Sequence, residues 1–286
     1  MPSLIDIRRR IRSVKNTQQI TKAMKMISAA KLRRAQERVV SSRPYGSLLR
    51  KVLANVAAAV ASDDNAGQNP LLVRREEQRI MLIVITGDKG LAGGFNANLI
   101  RAAQRFGSER GGVAIKLELI GRKGRDFFRK RGADILADHV GLAAKVQYDD
   151  LAAIARKAME LYKNDEIDAV YVLYNEFKSV AVQKVALARI LPLQIPEQTE
   201  PVDYIYEQPP IELLSALIPR YVELEVYRAM LESAAAEHAA RMTAMDSAST
   251  NAGEMIEKLT LYMNRVRQAS ITKEIIEVVS GAAAAE

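Results

Sequence analysis

Four glycines at positions 87, 90, 93 and 94 lie between the apolar run IMLIVIT (80–86) and a helix-like segment, NANLIRAAQRFG. A strand, a glycine-rich turn and a helix start are the parts from which phosphate cradles are built. The spacing, however, matches neither G-x-G-x-x-G nor G-x-x-x-x-G-K-[ST]. Lys89 precedes the last glycines instead of closing the loop, and no Ser or Thr is placed to hold magnesium. No acidic residue ends the next strand to receive a ribose, because LELIG gives way to RKGR. The stretch therefore reads as a tight turn of a nucleotide-fold-like domain. An enzyme binding a nucleotide at Gly87–Gly94 stays as the alternative.

Other chemistry is scarce. With no cysteine, thiol catalysis, disulfides and zinc–thiolate sites are excluded. The two histidines, His139 and His238, stand far apart, which argues against a metal cluster. His139 sits in ADHVG without a partner motif, and His238 occupies a packing position on a long helix. Glu254/Glu257 and Glu274/Glu277 are carboxylates at helical spacing, but acid–base work needs a cleft and a polarising partner. They read as solvated or partner-facing. No catalytic, cofactor or metal site is expected.

The net charge of +8 is localised. Residues 1–43 hold twelve Lys/Arg against Asp6 and Glu37, so the basicity belongs to one end. A concentrated positive field calls for an acidic partner. Nucleic acid would want aromatic stacking groups among the charges, and this segment has no Phe, Tyr or Trp. The Ile/Ala/Met face is modest for a membrane-surface helix. An acidic protein surface fits best; a basic coiled-coil protein that binds nucleic acid is the further alternative. No stretch approaches the ~20 apolar residues of a membrane span. The N-terminus lacks a signal-peptide core, so a cytoplasmic address is expected.

Two long helices must carry most of this. From Ser3 to Ala61 the only breakers are Pro44 and Gly46, and Pro44 should bend the helix or mark a boundary. Apolar residues recur at Ile7, Ile11 and Val14, then at Ile20, Met24 and Ile27, a 4-3 spacing with one phase slip. After QPP, which suits a helix opening, residues 211–280 contain only Pro219 and Gly253 as breakers. Alternating steps of three and four from Tyr221 meet apolar residues at most positions through Val266, the mark of a coiled coil. The seam leans on alanines and on Met242, Met245, Met255 and Met263. Neither helix can bury its stripe alone, so the two should pair, antiparallel because one enters and the other leaves the domain between them.

That domain alternates strand-like runs (80–86, 113–121, 168–177) with helix-like runs, implying a small, mostly parallel sheet. The expected fold class is α/β plus long α: an antiparallel coiled coil of the N- and C-terminal helices with an inserted Rossmann-like α/β domain. The expected divisions are 1–61, a linker 62–77, the α/β domain 78–195, an exit loop or foot 196–210, and 211–286.

The segments IRRRIRSVKNTQQITKAMKMISAAKLRRAQ and HAARMTAMDSASTNAGEMIEKLTLYMNRVRQASITKEIIEVVSGAAA resemble those of the gamma subunits of bacterial F-type ATP synthases. GDKGLAGGFNANL, IGRKGRDFFRKRG, DYIYE and LIPRYVE are similar too, so the likeness runs end to end. It implies a non-catalytic rotor shaft, one copy per complex, turning inside an alpha3beta3 catalytic hexamer. The foot would meet the epsilon subunit and the c-subunit ring, on the cytoplasmic face of the bacterial inner membrane. The shaft would couple proton flow to ATP synthesis or hydrolysis at beta sites and regulate ATPase activity. By the same resemblance, Lys22, Met24, Lys25, Arg241, Arg267, Gln268, Thr272, Glu274 and Glu277 contact the hexamer. Tyr204, Tyr206 and Glu207 contact the c ring and epsilon. Lys25 departs from the family, several of whose members carry Glu there, and the cysteine-bearing insertion of chloroplast relatives is missing.

Overall fold

The computed structural model describes residues 3–60, 69–194 and 206–283. Its elements run α1 (Leu4–Val60), β1 (Arg79–Ile85), α2 (Phe95–Ser108), β2 (Ala114–Ile120), α3 (Arg122–Arg129), β3 (Ile135–His139), α4 (Tyr148–Lys163), β4 (Ala169–Phe177), β5 (Gln183–Leu191) and α5 (Pro210–Ala283). The chain divides into two compact units: residues 1–28 with 242–286, and residues 29–241.

In the first unit, α1 and α5 run antiparallel. Thr21 meets Ser249, their hydroxyls 2.7 Å apart, and Lys25 Nζ meets Asp246 Oδ1 at 2.6 Å. Gln18 Nε2 donates to the Ser249 carbonyl. A capping box opens α1: Asp6 N donates to Ser3 Oγ, while Ser3 N donates back to the Asp6 carboxylate. The covered stripe of α1 is Leu4, Ile7, Ile11, Val14, Gln18, Thr21, Lys25 and Ser28. It keeps strict steps of three and four, so the expected phase slip is absent. Ile20 and Ile27 are instead exposed, and the seam crosses that stretch on small or polar residues. On α5 the covered residues are Met245, Ser249, Ala252, Ile256, Leu259, Met263 and Val266, as the periodicity anticipated. Met255, one step of about 100° off that stripe, is 51% exposed and leaves the seam.

The second unit holds a five-stranded sheet of order β3-β2-β1-β4-β5. The first four strands are parallel and β5 pairs antiparallel with β4 at the edge. Central β1 is buried on both faces, as its unbroken apolar run requires. Met81, Ile83 and Ile85 pack with α4 and the early part of α5, while Ile80, Leu82 and Val84 pack with α2 and α3. Each such side chain contributes about 1.5–3 kcal/mol on burial. The sequence anticipated β1, β2, β4 and the helices between them. Two strands were missed: β3 is only five residues long, and β5 mixes Lys184 and Arg189 into its run.

Pro44 lies inside α1 and marks no boundary. It and Val40, whose carbonyl loses a donor there, both lie on the exposed face, where water substitutes. α5 opens on Pro210, which has no N–H to satisfy at a helix start. Between residues 221 and 241, α5 is covered on nearly every side, and three of its carboxylates there are held by hydrogen bonds. Glu223 accepts from Tyr148 and Arg156, Glu225 from Arg50 and Arg228, and Glu237 from Arg241. Burial, together with the hydrogen bond to Glu223, pushes the Tyr148 phenol up to about 12.

Candidate functional site

Two places could work: the glycine-rich turn and the surface of the paired helices. The turn follows β1 at the carboxyl end of the sheet, beside β4 where the strand order reverses. That is where doubly wound sheets receive ligands. Here several of the turn's polar groups are already engaged. Gly87 N donates to Asn96 Oδ1 at 2.8 Å. Asp88 accepts from Arg122 N at the start of α3 and from Gly141 N, both at 3.0 Å. The chain thus places its own carboxylate where an anion would dock on that helix.

α5 closes what remains. A Cβ on Gly87 would stand 2.9 Å from the Glu237 carboxylate, so glycine is required for that approach. Arg241 donates to Glu237 Oε1 and to the Gly90 carbonyl at 3.3 Å, and Ser233 Oγ reaches the Ile85 carbonyl. Glu237 and Arg241 are 6% and 9% exposed. A phosphate entering the turn would meet a buried carboxylate whose partner arginine is already bound.

The histidines are engaged too. His139 Nε2 lies 2.6 Å from Glu118 Oε1, and Lys157 Nζ approaches the other oxygen of this fully buried carboxylate at 3.4 Å. The segment ADHVG carries no partner for His139 because Glu118 sits on the neighbouring strand. His238 Nδ1 lies 3.5 Å from Arg241 Nη1. Burial first, then Arg241 and Lys31, hold its pKa down to about 4, so it is neutral near pH 7. Among the described residues no His/Asp/Glu group could hold a metal.

The structure divides the residues proposed for partner contact into four sets. Lys22, Met24 and Lys25 share a stretch of α1 in the first unit, Lys22 exposed and the other two half-covered. Lys25 pairs with Asp246 on α5. Arg267, Gln268, Thr272, Glu274 and Glu277 are exposed along the last turns of α5. Thr272 Oγ1 donates to the Gln268 carbonyl, Ser270 Oγ to Glu274, and Lys273 pairs with Glu277. The register set by Thr21 and Ser249 puts Leu4 level with about residue 266, so α5 beyond about 270 has no α1 beside it. Ile271, Ile275, Ile276, Val278 and Val279 are all exposed there, at 49–72%.

Arg241 belongs to the second unit, buried against the turn. Tyr206 is half-covered and Glu207 exposed, both just ahead of α5, while Tyr204 lies outside the described residues. Glu237 was not legible in the sequence, because the glycine it approaches, Gly87, lies about 150 positions away. Among the described residues no helix is long and apolar enough to cross a membrane.

A family model described as ATP synthase matches residues 3–285. The ATP synthase gamma chain of Solibacter usitatus (strain Ellin6076) is 73% identical over 286 residues, covering all of both chains. That of Pelotomaculum thermopropionicum is 49% identical, again over all of both. Among solved structures, a chain of the Tetrahymena thermophila mitochondrial ATP synthase central stalk and c ring gives a TM-score of 0.62 at 26% identity, covering 80% of this chain and 99% of that one. A chain from the OSCP/F1/c-ring structure of the Euglena gracilis mitochondrial ATP synthase shares the fold, with a TM-score of 0.69 at 18% identity over 98% and 94% of the two chains. The chain belongs to the ATP synthase gamma chain family.

Proposed function

We propose that the chain is the non-catalytic central-stalk subunit of a bacterial proton-translocating ATP synthase, one copy per complex. In this role its paired helices turn inside an alpha3beta3 hexamer while the region around Tyr204, Tyr206 and Glu207 meets the epsilon subunit and the c ring. Proton flow through the ring turns the subunit, and ATP is made or hydrolysed on the beta subunits. The complex holds it at the cytoplasmic face of the inner membrane.

The observation that carries this role is the end of α5, where five Ile and Val residues stand exposed with no α1 beside them. A helix that is apolar on several sides needs an enclosing surface to cover it, and a sleeve of surrounding subunits provides one. At the other end of the first unit the basic face of α1, with Lys22 and Lys25, suits acidic partner loops. Arg267, Gln268, Thr272, Glu274 and Glu277 add polar contacts at the sleeve. Coupling then follows from asymmetry. Two different helices present different groups at each rotational angle, so each angle favours a different conformation at each beta site. A non-catalytic role is supported by the turn at Gly87–Gly94, where Asn96 takes the Gly87 N–H, Arg241 takes the Gly90 carbonyl and Glu237 fills the space beside Gly87.

The test is a chain ending at Ser270, co-expressed with its partner subunits. The shortened chain should keep the thermal transition of its α/β unit, while the assembled complex loses torque and coupled ATP hydrolysis. Full coupling by the shortened chain would remove the sleeve contact. Micromolar ATP or NAD binding lost on altering Gly90 or Gly93 would restore the enzyme alternative.

A further inference from the structure

Lys31, Arg34 and Arg38 follow one another along α1 at steps of three and four, which puts their side chains on one face. In the unit formed by residues 29–241, that face borders a cavity of about 200 Å³. Ala143, Ala144 and Val146, which follow β3, make one wall; Leu231, Ala234 and His238 of α5 make the other. No carboxylate lines it. Among the described residues, none of the three cations makes an ion pair, whereas neighbouring Arg33 is paired with Glu37 at 3.3 Å.

Three like charges around one small concavity repel one another, and its apolar walls weaken the screening that water would give. An anion there relieves the repulsion and meets two guanidinium groups, whose paired N–H donors match tetrahedral oxyanions. Ala143, Ala144 and Ala234 keep the space open where longer side chains would fill it. His238 adds a donor without adding charge. Its Nδ1 faces the Arg241 guanidinium, which can only donate, so the proton of the neutral ring resides on Nε2.

We propose that this cavity binds a phosphate-class oxyanion, either inorganic phosphate or diphosphate or the phosphate end of a nucleotide, through Lys31, Arg34 and Arg38, with His238 Nε2–H as a neutral donor. The site is separate from the turn at Gly87–Gly94 and does not rest on the coupling role. It would let a reactant or product of phosphoryl chemistry bind the chain directly.

The test is titration calorimetry of the full chain with inorganic phosphate, diphosphate, ADP and ATP, at low and at physiological salt. Saturable one-to-one binding of at least one of these is expected. Arg34→Gln/Arg38→Gln should weaken it about tenfold or more, the scale of two lost charge-assisted contacts. Arg33→Gln, which alters a paired residue outside the cavity, should leave it unchanged. All three cations are exposed, so the variants should keep the far-UV spectrum and thermal midpoint of the parent. Binding confined to phosphate and diphosphate would identify a free anion as occupant. ATP or ADP binding with the same sensitivity would identify a nucleotide. No saturable binding, equal weakening by Arg33→Gln, or nucleotide binding lost on altering Gly90 but not Arg34 and Arg38 would each overturn the proposal.

Discussion

Lys22 and Lys25 are where a change on the shaft can be separated from a change in its fold. Lys25 Nζ stands 2.6 Å from Asp246 Oδ1, with the two side chains 42% and 55% exposed. An exposed pair of this kind contributes about 0.2–1 kcal/mol. Lys25→Glu removes that and sets two carboxylates side by side, a penalty of similar size, so the total loss stays within about 2 kcal/mol. Lys22 is exposed, and Lys22→Glu should shift stability by no more than about 0.5 kcal/mol. The double variant therefore folds. At a partner's acidic loop the same two changes turn attraction into like-charge contact, which costs several kcal/mol. The assay is proton pumping per ATP hydrolysed by the reconstituted complex in vesicles. A clear drop is expected, with the thermal midpoint of the isolated chain moved by only a few degrees. A third variant, Lys25→Glu/Asp246→Lys, rebuilds the internal pair with its polarity exchanged. If Lys25 serves a partner, coupling stays impaired in it. Recovery in the exchanged variant would mean that Lys25 only joins the two helices, and undiminished coupling in Lys22→Glu/Lys25→Glu would refute the partner contact outright.

Four further outcomes follow from the second unit and the seam. Glu237→Ala strands the buried Arg241 guanidinium; because its bond to Gly90 survives, the loss should be about 2–4 kcal/mol, read by denaturant unfolding. Gly121→Ala should cost more than about 3 kcal/mol or give insoluble protein, since φ is +95° and a Cβ would sit 2.1 Å from the Thr86 carbonyl oxygen. His238 has its folded pKa held down to about 4, so the unfolded chain binds the extra proton between there and the ordinary histidine value of 6.5. Its contribution to stability is full above about pH 6.5 and falls as pH drops towards 4, by up to about 3 kcal/mol; His238→Gln should flatten that limb in pH-dependent unfolding. Finally, amide exchange should be slower across 222–239 of α5, which is covered nearly all round, than across 245–266, where only a stripe is covered.

The parts legible in the sequence were those whose pattern is local. The three-and-four stepping of α5 survives from Tyr221 to Val266 because each seam residue reports on its own neighbours. β1, β2 and β4 announced themselves as apolar runs, since strands covered on both faces carry little else. Residues 18–28 misled because Gln18, Thr21 and Ser28 fill the seam while Ile20 and Ile27 face out. Following hydrophobicity there gives a slip that the backbone does not make. β5 hid because an edge strand tolerates Lys184 and Arg189. At the site, the wrong glycine spacing was visible, but not what occupies the turn. Glu237 and Arg241 reach it from α5, and no local window joins residue 87 to residue 237.

Taken one unit at a time, α5 is built for two different duties. Between residues 221 and 241 it is fixed by apolar packing against both core clusters and by carboxylates paired with Tyr148, Arg50, Arg156, Arg228 and Arg241. Sliding or twisting there would strand several buried charges at once, each at a cost of several kcal/mol. From Met242 onward the seam offers Ser249, Gly253 and Ala252 against Gln18 and Thr21. Thr21 and Ser249 each keep a bond to a carbonyl of their own helix, so parting them costs only about 0.5–1.5 kcal/mol. A subunit that transmits torque needs a grip that does not creep and a working end that yields slightly as its surroundings change. Packed charge pairs meet the first need, and a small, hydroxyl-bearing seam meets the second; a uniform leucine seam would give the working end the stiffness of the grip.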